Sequence, residues 1–163
     1  MSNVKKRARV LTVFAASMML SLAIAGGASA DTAADQAPGA LTSPPPVEMN
    51  LMSVDPSYKY LSNANVSIQK IGGTTLQLTG ATYAYQNVDS LGANYILQRW
   101  TGSVWVDVDS SVGQSFNNNS YFGSKTWSTI SGYYYRGKTI HWAQEGSTRE
   151  ETTLYTQSIL MGN

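Results

Sequence analysis

From Tyr58 to the end of the chain, no stretch keeps the 3.6-residue apolar period of a helix of ordinary length. Short runs rich in Thr, Val, Ile, Tyr and Trp recur instead, broken by Gly, Asn, Asp and Ser. Such runs bury one face at period two and are bounded by residues that tolerate turn geometry, so the fold is expected to be all-β. Val66, Ile68 and Ile71 mark a first strand ended by Gly72-Gly73, and Thr75 to Tyr85 a second, with Gly80 as a bulge or close-approach position.

The clearest local unit is Tyr95 to Trp100, then Thr101-Gly102-Ser103, then Val104 to Asp109, which reads as a β-hairpin. In its second arm Val104, Val106 and Val108 fall on one face and Trp105, Asp107 and Asp109 on the other. The valines are expected to face the core. Gly113 to Ser120, with Asn117-Asn118-Asn119, is expected as a loop. Tyr121 to Ile130, Tyr133 to Gln144 and Thr148 to Ile159 supply the later strands, with Tyr135 placed like the phenol of a tyrosine corner. Six or seven antiparallel strands at this spacing predict a β-sandwich of immunoglobulin or fibronectin type III kind, a small barrel being the alternative.

The N-terminal part follows different rules. Lys5, Lys6, Arg7 and Arg9 precede an apolar run from Val10 to Ala25 and the small residues Ala28-Ser29-Ala30. That order is a secretory signal peptide, residues 1–30, with cleavage expected before Asp31; the run is shorter than the ~20 residues of a membrane span. Residues 31–54, containing Pro38-Gly39 and Pro44-Pro45-Pro46, read as an extended disordered arm, and residues 55–163 as the sandwich domain. Within the arm Met49, Leu51, Met52 and Val54 form the only apolar cluster.

Removing the leader takes four of the 11 basic residues and none of the 10 acidic ones, which leaves seven against ten, a formal charge of −3. A chain without a basic stripe is not expected to bind nucleic acid or, after cleavage, an anionic membrane. No cysteine is present, so neither disulfides nor thiolate-bound zinc hold the domain together.

These features occur in an order that resembles small secreted β-sandwich proteins of Gram-positive, Bacillus-like bacteria, a functionally uncharacterised family. The likeness runs from Tyr58 to Tyr155 and rests on Tyr58-Lys59-Tyr60-Leu61-Ser62, Ala84-Tyr85, Leu97-Gln98-Arg99 with Gly102 and Trp105, and Ser131-Gly132-Tyr133-Tyr134-Tyr135-Arg136. It implies secretion and a sandwich and supplies no catalytic residues. Gly137 departs from the pattern, since relatives tend to carry Val there.

Candidate chemistry is sparse. His141 is the one histidine, and a Ser-His-Asp arrangement lacks a Gly-x-Ser-x-Gly elbow, so it reads as a strand residue beside Trp142. Asp107 with Asp109, and Glu150 with Glu151, are paired acids that read as edge charges discouraging strand-to-strand aggregation rather than as a glycosidase pair or a calcium site. No metal or cofactor is expected. Aromatics carry more information: four Trp, ten Tyr and three Phe, all but Phe14 beyond the leader, exceed what one small core buries. Trp100, Trp105, Tyr83, Tyr85 and Trp127 are therefore the candidate binding surface. The function expected is a secreted, non-enzymatic binding or accessory module of the bacterial cell surface, its partner a cell-wall glycan or another extracellular protein. The alternatives are a structural envelope or matrix protein and, last, a hydrolase using His141 with Asp107 or Asp109.

Overall fold

The structure, a computed structural model, describes residues 36–47 and 54–162. The signal-peptide residues, their cleavage point, and Met49, Leu51 and Met52 lie outside the described residues. Those described contain strands and no helix: β1 (Leu61–Lys70), β2 (Thr75–Trp100), β3 (Trp105–Ser128), β4 (Tyr134–Glu145), β5 (Thr148–Tyr155) and β6 (Ile159–Leu160). All pairing is antiparallel, and all six strands belong to one curled sheet, a half-barrel.

The sequence pattern suggested separate strands where the chain has two very long ones. Thr75 to Tyr85 and Tyr95 to Trp100 are both parts of the 26-residue β2, and the expected Asn-rich loop lies inside the 24-residue β3. Asn117 takes a positive φ of 47°, and the β2–β3 register shifts between Tyr83 and Val88, so the ribbon bends there without breaking. Asn reaches the left-handed region at small cost, which is why a stretch with loop composition continues a ladder. The first half of β2 pairs with β1 and the end of β3; the second half pairs with β4 and the start of β3.

The bend lays one half of the inner face over the other. Leu76, Leu78 and Thr82 from the first half, and Leu91, Ala93, Tyr95 and Leu97 from the second, are all buried. Gly137 belongs to this closure: a Cβ there would overlap the Leu78 side chain, so the space beside it is filled from β2. Tyr135, against Leu76, Leu97 and Met161, accepts a hydrogen bond on its phenol oxygen from Ile130 N–H at 3.1 Å, the upstream backbone contact of a tyrosine corner.

The hairpin faces differ from expectation. Val104 and Val108 are exposed and Val106 is only half-buried, so the valines do not face the core. Alternation separates the two faces of a strand but does not say which one the sheet closes over. A register shift between Leu97 and Gln98 adds to this, pairing Asp109 with Leu97 and Asp107 with Gln98. Adjacent β2 residues point to opposite faces, so the bulge also separates the two aspartates that strict alternation placed together.

Candidate functional site

β3 pairs with β2 and with no other strand among the described residues. Roughly half of the backbone N–H and C=O groups of an outer strand point away from its neighbour, so β3 offers an open row of donors and acceptors. Along and beside that row, Val104, Val108, Val112, Phe116 and Phe122 are exposed, the two phenylalanines by 62% and 66%. Three charged residues, Asp107, Asp109 and Lys125, and no proline interrupt the strand. Sequence reasoning missed Val112, which lay between the expected elements, Phe116, which fell in the expected loop Gly113–Ser120, and Phe122, in a strand whose faces were not assigned. The signal present was a lone phenylalanine, Phe116, in an otherwise polar run of Gly, Gln, Ser and Asn.

β3 is shaped from inside by Tyr121, whose ring end sits over Gly113 and Gly123, where a Cβ on either would overlap the phenol. The neighbouring Tyr95 hydroxyl lies 3.1 Å from Gly123 O and 3.3 Å from Gly80 O. Burial, helped by the hydrogen bond with Tyr121, raises the Tyr95 phenol far above its ordinary value, so it stays protonated and donates. The bend is thus held by buried phenols, and the outer side of β3 is left uncovered.

The five aromatics expected as a binding surface divide between two places. Tyr83 is half-buried with Phe122 edge-on to it, centroids 5.4 Å apart at 85°, and Tyr85 is exposed. Trp127 is half-buried, packed against both parts of the core. Trp100 is only 6% exposed, with the half-buried Trp105 ring 5.3 Å away. Flat exposed indoles, the feature that sugar stacking needs, are not what this arrangement presents.

His141 lies in the interior, fully buried, its Nδ1 2.8 Å from Thr82 Oγ1, which donates to Gly92 O at 3.0 Å. With that hydroxyl proton committed, the imidazole carries its own on Nδ1 and donates it to Thr82. Burial lowers its pKa to about 4, and Nε2 is buried without a hydrogen-bond partner. Such a ring reaches neither solvent nor Asp107 or Asp109, which are exposed on β3. Among the described residues no group of three His, Cys, Asp or Glu is placed to hold a metal ion.

The second acid pair does more than decorate an edge. Glu150 accepts backbone N–H bonds from Lys59, Tyr60 and Leu61 at 2.7–2.8 Å, joining β5 to the start of β1. Burial pushes its carboxyl up, but these three donors and the nearby Lys59 outweigh it, and the net pKa is lowered. Comparison with protein-family models, with curated proteins and with solved structures finds no match to this chain.

Proposed function

We propose that the chain is a secreted, non-enzymatic binding module of the bacterial cell surface that takes an extended segment of a protein partner onto the open edge of β3. One observation carries the reading: a 24-residue outer strand, unpaired on one side, with Val104, Val108, Val112, Phe116 and Phe122 exposed along it. Strand addition needs such an edge, since main-chain hydrogen bonds supply affinity and alternate side chains supply specificity. A protein partner is favoured over a glycan because the tryptophans are largely covered while the exposed apolar groups line a backbone edge. Secretion follows from the leader expected in residues 1–30 and agrees with the family likeness. The same likeness supports the finer fold reading: the two halves of the bent sheet stand for the layers of an immunoglobulin- or fibronectin type III-like sandwich whose corners run through β2 and β3.

A second reading, a structural protein of the envelope or matrix, draws on the same edge, with a second copy as the added strand. The secreted protein and its Val112→Lys/Phe116→Lys variant separate these readings when cross-linked to the surface fraction of the producing cell and run by size exclusion across concentrations. A protein captured by the parent and lost by the variant supports the module. Assembly that grows with concentration and disappears in the variant supports the structural reading. Equal retention of both on protein-free peptidoglycan would overturn the edge as the site and return the glycan reading.

A further inference from the structure

At the Thr101–Val104 end of the β2–β3 hairpin, the chain's own proline run lies beside the sheet, Pro44 and Pro45 half-buried and Val47 exposed. Trp100 Nε1–H donates to Ser43 O at 3.1 Å. Pro45, Pro46 and Val47 line one cavity of about 90 Å³ together with Trp105, Arg136, Thr156, Gln157 and Ser158. The approach is fixed upstream, where Leu41 N–H donates to Gly132 O at 2.7 Å and the Leu41 side chain lies against Gly132. We propose that Trp100, Trp105 and Arg136 form a proline-recognition groove, entered here by Ser43–Pro45 and able to exchange that segment for an extended proline-rich peptide of another protein.

Both sides of the contact have the required chemistry. Ser43, Pro44 and Pro45 each precede a proline, and this pushes all three toward extended or polyproline conformations before binding. A polyproline segment has no internal hydrogen bonds, so its carbonyls are free to accept, and Ser43 O belongs to a Ser–Pro bond with no N–H of its own. An indole that donates to such a carbonyl beside an aromatic wall is how proline-rich segments are read in general, and little entropy is lost because the ligand is preformed.

The wall is also fixed in advance. The Trp105 ring is held by Trp100, 5.3 Å away, and by the Arg136 guanidinium, 4.4 Å from its centroid. Arg136 in turn lies 4.5 Å from the Tyr155 ring and donates from Nε to Gln98 Oε1 at 2.7 Å, while Gln98 donates to Asp107 at 2.6 Å. Residues of β2, β3, β4 and β5 are thus linked through Arg136 into one cluster beside the Trp105 indole. This site is independent of strand addition along β3 and stands or falls separately.

The test uses the secreted protein, its Pro45→Gly/Pro46→Gly variant, and a capped peptide of the sequence Leu-Thr-Ser-Pro-Pro-Pro-Val. The Trp100 indole N–H resonance is followed by NMR. Loosening the segment is expected to shift that resonance, and added peptide to restore it. Half-saturation should come at a peptide concentration at least tenfold lower than in the parent, whose own segment competes at an effective concentration on the order of millimolar. Trp100→Phe, which keeps a ring and deletes the donor, is followed on the neighbouring Trp105 indole N–H, which peptide should then leave unmoved; if it fails to fold, the Trp100 resonance in the parent and glycine variant decides. An unmoved Trp100 resonance in the glycine variant, no response to millimolar peptide, or equal binding of Leu-Thr-Ser-Ala-Ala-Ala-Val would each overturn the groove.

Discussion

β3 and β5 are both outer strands of the same sheet. β5 packs Arg149, Glu150 and Glu151 into eight residues, and through the Glu150 carboxylate it is tied to the three backbone donors that lead into β1. Tyr58 adds a hydroxyl bond to Glu151 O at 2.6 Å. β3 is three times as long, carries three charges, and leaves phenylalanines and valines in solvent beside its free backbone. An edge is an invitation to pair, and natural sheets guard it with charge, brevity or cover. One side of this sheet has those guards and the other lacks them, which marks β3 rather than β5 as the side that meets a partner.

Acid should produce the largest effect, and on the guarded side. His141 pairs across the ladder with Thr152 of β5 and is held neutral inside, with a pKa of about 4 against 6.5 in the open chain. Its folded pKa is depressed, so the unfolded chain takes up the proton first, and stability falls as pH drops from about 6.5 to about 4. The loss across that window is about 3 kcal/mol. Urea midpoints at pH 7 and pH 4.5 measure it, and His141→Asn should flatten the dependence while costing some stability at pH 7. A parent midpoint that does not move would show that His141 has an outlet to solvent.

Glu150→Ala comes next. It leaves three N–H groups near the β1–β5 seam without their carboxylate, and partial access to water limits the cost to about 2 kcal/mol. Because the Glu150 pKa is lowered, its contribution is present above about 4.5 and is lost below it, a window that starts lower than that of His141. Hydrogen exchange should speed up at Lys59, Tyr60 and Leu61 and stay unchanged along β3. Faster exchange in β3 would show that the two edges are coupled rather than independent.

On the open side, Phe116→Lys should change stability by less than about 1 kcal/mol, since the ring is already in solvent, yet remove partner binding or self-association at β3. The smallest effect is expected from Val108→Asp, within about 0.5 kcal/mol by thermal melting. Unfolding by that substitution would mean that the hairpin valines are core after all.

Period-two alternation and the absence of a helical period from Tyr58 onward were enough to make the described residues there all-β, and Gly102 and its neighbours placed the turn of the central hairpin. Both are local properties, fixed by backbone geometry within a few residues. Tyr135 was legible for the same reason, its partner Ile130 lying five residues away. The strand count and the hairpin's facing were not legible, because they depend on partners far along the chain. Whether Asn117 ends a strand or bends one depends on whether the ladder resumes on both sides of it, where Tyr121 packs on Gly113 and Gly123, and whether Val108 or Leu97 is buried depends on which face the bent ribbon closes over. Glu150 and Ser43 show the same limit: their partners lie about 90 and 57 residues away in sequence, and only the folded sheet brings a carboxylate to three amides, or a proline run to Trp100.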